Sequence, residues 1–171
     1  MTGQTRLSQI QIRNYKNIAA AAIDLQPLTV LVGPNGAGKS NLVDALSFVA
    51  DSLSYSVQRA FANRGGVAAV RRRPCPSPCH IGLRFVLALQ DGGWADYAFD
   101  IAAPPRGSIS VARERCIVQP ATKARQAFEV QSGKFIREVP GIRARIKADR
   151  LALTVVSAAE EFRMIPFRKR L

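Results

Sequence analysis

Residues 31–49 read LVGPNGAGKSNLVDALSFV, a glycine-rich turn that leads into an apolar-periodic segment. Gly33, Pro34, Asn35, Gly36, Ala37, Gly38, Lys39 and Ser40 fit the spacing G-x-x-x-x-G-K-[ST], with Asn41 directly after them. The spacing has a physical reason. Glycines accept positive φ, so successive backbone N–H groups, those of Asn35 and Ala37 among them, can turn inward as an anion-binding nest. A helix that starts where the loop ends adds the partial positive charge of its N-terminus. Lys39 is placed to reach the outer phosphates of a nucleoside triphosphate, with Gly36 and Gly38 letting the backbone approach them. The Ser40 hydroxyl is placed to ligate Mg²⁺.

Both flanks agree with this reading. Before the loop, LTVLV at 28–32 is apolar and rich in β-branched residues, as expected of a strand buried on both faces. After it, Leu42, Ala45, Leu46, Val49, Ala50 and Leu53 recur at three-and-four spacing and predict a helix. That helix continues or restarts through SVQRAFAN until Gly65 and Gly66 stop it. Upstream, RLSQIQIRN alternates Leu7, Ile10 and Ile12 with polar neighbours and predicts a first strand. AAIDLQP reads as a second, closed by Pro27.

Downstream the pattern changes to period two. VAAVRRRPCPSPCH is a loop with three consecutive arginines and then closely spaced prolines. HIGLRFVLAL, the turn QDGG and WADYAFDIA form a β-hairpin, with Ile81, Leu83, Phe85, Leu87 and Leu89 facing one way and Tyr97, Phe99 and Ile101 doing the same on the return. SISVARERCIV, AFEVQ and KFIREV add three strands, the last two joined at Ser132-Gly133, while RLALTVV at 150–156 stays open between helix and strand. There is no internal repeat and no low-complexity linker.

The bulk numbers bound the classes. A chain of 171 residues with 47% hydrophobic and 22% charged residues can build a real core. Its longest apolar runs are short, so no membrane contact is expected, and the N-terminus lacks a basic region followed by an apolar one. Three cysteines without an export pattern suggest reduced thiols and a cytoplasmic location. The net charge is +13 and uneven, about +3 over residues 1–70 and about +10 over 71–171. A basic surface of this kind attracts polyanions, although free use of arginine would give the same numbers.

GTPases add an [NT]KxD motif, and Thr122-Lys123-Ala124-Arg125 lacks its Asp. Small-molecule kinases usually stay helical after the loop, whereas this chain turns to antiparallel hairpins. Instead, LSQIQIRNYKNI…IDLQPLTVLVGPNGAGKSNLVDALSFVADSL resembles the N-terminal lobe of the RecF/SMC-like, ABC-type ATPases, often labelled AAA-family. Ile12, Asn14, Tyr15 and Lys16 fill the family's first element, Asp24 and Leu25 the second, and Gly33 to Leu46 the third. The resemblance implies an α/β P-loop NTPase lobe with a mixed sheet, the P-loop helix and an antiparallel β-rich lobe. It divides the chain into a strand–P-loop–helix core (1–66), a basic β-rich lobe (67–149) and the start of a truncated second part (150–171). ATP and Mg²⁺ are the implied ligands. Gly33, Pro34, Asn35, Gly36, Ala37, Gly38, Lys39, Ser40 and Asn41 are the implied binding residues.

The family hydrolyses ATP with parts not found here. A Walker B strand ends in Asp-Glu, and no DE or DD pair occurs in the chain. Asp44 and Asp51 lie within the P-loop helix, Asp100 and Asp149 follow unsuitable runs, and the Glu160-Glu161 pair has Ala where the Mg²⁺-holding Asp belongs. An LSxG-like signature helix is also missing. The expectation is therefore an ATP-binding protein of an ATPase family, truncated and inactive alone, completed by a second lobe or subunit as a homodimer or hetero-oligomer. Its relatives link it to DNA repair, DNA processing or defence. The alternative is a non-catalytic module that binds DNA or a partner through its basic lobe.

Lesser candidates remain. Gln90 follows a strand, as does the family's glutamine that senses Mg²⁺ and the γ-phosphate. Cys75, Cys79 and His80, with Cys116 as a fourth, have a spacing that permits a metal. Arg71, Arg72, Arg73, Arg113, Arg115, Arg143, Arg145, Lys147 and Arg150 supply the basic half. Arg113 and Arg115 share one strand face and are directed by the resemblance at a DNA backbone, or else they form a solvated face.

Overall fold

The strand segments within 6–24 and 80–137, read largely from alternating apolar and polar side chains, come together in one sheet, with the glycine loop and three helices between them. The structure is a computed structural model and describes residues 4–75, 78–104, 107–137 and 146–156. Its strands are β1 (Arg6–Tyr15), β2 (Ile18–Asp24), β3 (His80–Ala88), β4 (Trp94–Ala102), β5 (Ser110–Gln119), β6 (Gln126–Gln131) and β7 (Lys134–Arg137). They form a seven-stranded sheet in the order β2-β1-β3-β4-β5-β6-β7. Every pairing is antiparallel. The predicted hairpin is β3–β4, in unbroken register from His80 opposite Ala102 to Ala88 opposite Trp94.

One face of the sheet carries the core. Ile10 and Ile12, then Ile81, Leu83 and Phe85, then Tyr97, Phe99 and Ile101, then Cys116, Phe128 and Val130 are all buried on it. Against them lie α1 (Lys39–Ser54), α2 (Val57–Ala62), α3 (Val67–Val70) and α4 (Leu153–Val156). Helix α1 buries Leu42, Ala45, Phe48, Val49 and Ser52. The stripe is the one read from the sequence, rotated so that Phe48 leads it. Phe48 stands edge-on to Tyr15 at 5.6 Å and to Phe61 at 5.1 Å, which pins α1 between the sheet and α2. Ser56 caps α2 by accepting from the Arg59 N–H at 3.1 Å. RLALTVV resolves to a short helix, with Leu151, Ala152, Leu153 and Val156 packed into the core.

Three expectations need correction. The sheet is not mixed, because every pairing between the described strands is antiparallel. LTVLV at 28–32 is not a buried strand: Leu28, Val30 and Val32 are 82%, 71% and 89% exposed. The cause is local. Leu25 donates to Ser8 O, and a Gln26–Thr29 turn, with Gln26 N on Thr29 Oγ1 at 2.9 Å, then carries the chain off the sheet edge. Beyond that turn no described strand lies alongside to complete a ladder, and apolarity cannot replace the missing partner. Third, Cys75 and Cys79 are not free thiols or metal ligands. They form a disulfide, their Cα atoms 5.8 Å apart.

The sheet also runs across the 66/67 boundary, since β1 pairs with β3. Residues 150–156 belong to the same core, and 157–171 lie outside the described residues. Among the described residues no helix is long and apolar enough to cross a membrane.

Candidate functional site

The glycine loop occupies residues 33–38, between the exposed run and α1. Gly36 and Gly38 have φ of 83° and 95°, values that side chains rarely adopt. Gly38 is also the N-cap of α1 and offers no side-chain cap, so the loop delivers uncapped helix N–H groups. Lys39 turns back over the loop, and its Nζ donates to Gly33 O at 2.6 Å and Pro34 O at 2.8 Å. Asn35, Gly36, Ala37 and Ser40 are exposed. A Cβ built on Gly36 would meet nothing within 4 Å, so the loop's mouth is open. This donor set, an ammonium, a hydroxyl and the uncapped N–H groups at the start of α1 beside open space, fits the phosphates of a nucleotide and a magnesium ion.

Two side chains hold the loop from the sheet side. Asn17, in the β1–β2 turn, donates through Nδ2 to Gly36 O at 2.9 Å and accepts at Oδ1 from Asn41 Nδ2 at 2.6 Å. Asn41 is a predicted site residue, but it faces Asn17. Asn17 was not singled out; the only signal for it in the sequence is its place directly after Asn14-Tyr15-Lys16. Beside it a cavity of about 330 Å³ opens, lined by Ile18, Ala19 to Ala21 of β2, Leu31, Lys39 and Leu42.

Tyr15 and Lys16 serve a neighbouring cluster. The Tyr15 hydroxyl donates to Asp44 Oδ2 at 2.7 Å, and Lys16 Nζ lies 2.6 Å from the same oxygen. Arg64 bridges Asp44 at 3.0 Å and Asp51 at 2.6 Å, with its guanidinium 5.4 Å above the Phe48 ring. Burial acts to raise the Asp44 carboxyl, but Lys16, Tyr15 and Arg64 together hold it below the usual carboxylate range. Burial beside Asp44 pushes the Tyr15 phenol far up. Asp44 and Asp51 are thus ion-paired structural acids. Asp100 is paired with Arg13 at 2.8 Å. The Asp149 carbonyl accepts from Val57 N. The Glu160-Glu161 pair lies outside the described residues.

Gln90 is not brought to the loop. Its N–H donates to Thr5 Oγ1, next to the start of β1, whereas Asn17 meets the loop beyond the other end of that strand. Ten residues of β1 separate them, about 30 Å. His80 opens β3 opposite Ala102, and Cys116 faces Tyr97 well along β4. No cluster of three or more His, Cys, Asp or Glu side chains able to hold a metal ion occurs among the described residues.

The outer face of the sheet bears the charge. Arg13, Arg84, Arg113 and Arg115 surround a concavity of about 400 Å³. Each guanidinium meets a carboxylate. Arg13 pairs with Asp100, Arg84 and Arg115 share Asp96, and Arg113 pairs with Glu129. Arg113 and Arg115 do share a face, but as parts of a cross-strand ladder rather than as free cations. Arg71 and Arg72 lie on the crossover into β3, where Arg72 donates to Pro74 O, and Arg150 donates to Tyr55 O. Arg143 and Arg145 lie outside the described residues.

Residues 6–129 match the model of the AAA ATPase domain. A DNA replication and repair protein RecF of Mesorhizobium japonicum is 48% identical over 50 residues, 29% of this chain and 13% of that protein. The chromosome partition protein Smc of Methanocaldococcus jannaschii is 42% identical over 55 residues, 32% of this chain and 5% of its own length. Structural maintenance of chromosomes protein 1 of Schizosaccharomyces pombe is 46% identical over 46 residues, 26% of this chain and 4% of that protein. The matched segments are thus a small part of each relative's length. No solved structure matches the chain. The family model covers well over half of the chain, from β1 through most of β6, and the chain belongs to the AAA ATPase domain family.

Proposed function

We propose that this chain binds Mg²⁺-ATP on the loop at 33–40, as one part of a cytoplasmic ATPase that acts on DNA. The observation that carries the reading is the loop itself: two glycines at positive φ run into an uncapped helix, with Lys39 folded over them. The backbone N–H groups of Asn35 to Ser40, with Lys39, would hold the phosphates, and Ser40 would ligate the metal. Bound magnesium would neutralise phosphate charge. The chain's own residues position and shield that charge, and no carboxylate lines the cavity beside the loop. Hydrolysis then requires a second lobe or subunit, and the exposed apolar run at 28–32 supports this by offering a surface for such a partner to cover.

The test is a calorimetric titration with Mg²⁺-ATP, with Lys39→Ala beside the wild type. The Lys39 ammonium bonds loop carbonyls and no residue of the core, so its loss should reduce affinity at least about tenfold while leaving the fold intact. Equal affinity in the variant would refute the assignment.

A second reading is favoured by one observation, the four arginines gathered on the outer face. A guanidinium has five donors and can bind phosphate while keeping its carboxylate. Binding there would be salt-dependent and blind to sequence, and it would persist in Lys39→Ala. Duplex affinity indifferent to salt would exclude it.

A further inference from the structure

Asn17 sits outside the glycine loop in sequence and against it in space. Its Nδ2 donates to the Gly36 carbonyl and its Oδ1 accepts from Asn41 in the first turn of α1. The same Oδ1 lies 3.2 Å from where a Cβ on Gly38 would stand. One carboxamide therefore bonds Gly36 and the helix that follows, and stands beside Gly38.

Geometry gives that contact a consequence. The Gly36 carbonyl and the Ala37 N–H belong to one peptide plane and point in opposite directions. Drawing the carbonyl toward the sheet turns the N–H toward the loop's interior. There it makes a long bond of 3.3 Å to Pro34 O, the carbonyl that Lys39 Nζ also uses. If the plane turned over, a carbonyl oxygen would face an incoming anion in place of a donor.

We propose that Asn17 is a positioning residue for the triphosphate: it fixes the 36–37 peptide plane so that the loop offers donors and not an acceptor. This rests on the nucleotide-binding reading above. Asn17 touches no phosphate itself. Its effect is exerted through Gly36, and Asn41 steadies it from α1.

The experiment uses the full chain and three variants, N17A, N17D and N41A. Affinities for Mg²⁺-ATP and for inorganic tripolyphosphate are measured by calorimetry. Melting temperatures and the ¹⁵N–¹H resonance of Ala37 are recorded without ligand. Asn17→Ala should weaken both ligands about tenfold, the worth of one or two hydrogen bonds, with the melting temperature unchanged and the Ala37 resonance moved. Asn17→Asp should weaken them further, because it sets a carboxylate against the Gly36 carbonyl. Asn41→Ala should fall between wild type and Asn17→Ala. Undiminished affinity in Asn17→Ala, or a lower melting temperature with an unmoved Ala37 resonance, would overturn the proposal. If the wild type binds neither ligand, the nucleotide reading fails by itself. The Ala37 resonance then decides the clamp: movement in Asn17→Ala upholds it and immobility rejects it.

Discussion

Glu114 lies on the core face of β5 with no exposure, and its carboxylate is bound from three sides. The Tyr97 hydroxyl donates to Oε1 at 3.0 Å, Leu153 N to the same oxygen at 2.8 Å, and Ala152 N to Oε2 at 2.5 Å. Burial raises the carboxyl, the three donors lower it, and burial wins, leaving it at about 7 against an ordinary 4.5. A folded value above the unfolded one means that the native state holds the proton more tightly. The stabilisation is fully present below about pH 4.5 and is lost as pH rises to about 7. Its size follows from the shift, roughly 3 kcal/mol. The groups facing Glu114 do not blur the window, since burial keeps the Tyr97 phenol and the Cys116 thiol neutral throughout it. Glutamine at this position is neutral at every pH, and its imperfect match to three donors is a constant offset. Urea unfolding of wild type and Glu114→Gln between pH 4.5 and 8 isolates this contribution. The stability of the variant relative to wild type should climb by roughly 3 kcal/mol across the window and level off above it. Parallel curves would refute the reasoning.

Three further outcomes follow from other parts of the molecule. The purified chain should show no ATP turnover above background, and steady phosphate release abolished by Lys39→Ala would contradict this. Gly93→Ala should destabilise the fold by about 1–3 kcal/mol in thermal or urea unfolding, because a Cβ there would stand 2.2 Å from Gln119 O and 2.8 Å from Pro120 Cα. An unchanged midpoint would show that the β4–β5 end relaxes freely. Val32→Asp, at a site 89% exposed, should leave stability within about 0.5 kcal/mol of wild type and reduce self-association in sedimentation velocity. Unaltered association would mean that the apolar run at 28–32 is not the adhesive surface.

What the sequence disclosed depended on how local the signal was. The loop, α1 and the β3–β4 hairpin were legible because glycine spacing, three-and-four periodicity and strict alternation are each written within a few neighbouring residues. LTVLV misled because composition reports a taste for burial, while a strand exists only if another backbone lies beside it. Asn17 and Asn41 are far apart along the chain, and nothing in either residue announces that they meet. Glu114 looked like one more polar position in an alternating strand. A bulge between Asp100 and Ile101 shifts the β4–β5 register, and Glu114 lies on the core side of β5 opposite Phe99. Gln90 was plausible by its place after a strand, and which end of the sheet that strand reaches is a property of topology.

The cluster around Asp44 has a mechanical meaning. Tyr15 and Lys16 grip α1 one turn beyond its start, Arg64 grips it there and again at Asp51, and Phe48 sits between the two points. A helix held in this way cannot tilt without dragging the end of β1 and α2 with it. Asp44 acts as a fulcrum and the first turn of α1 as a short arm beyond it. Any displacement imposed at the glycine loop is therefore divided between two routes, bending of that single turn and rocking of the sheet edge at residues 15–18. The second route leads into the β1–β2 hairpin, to which Asn17 also ties the loop directly, so the loop and the sheet's edge are mechanically one piece.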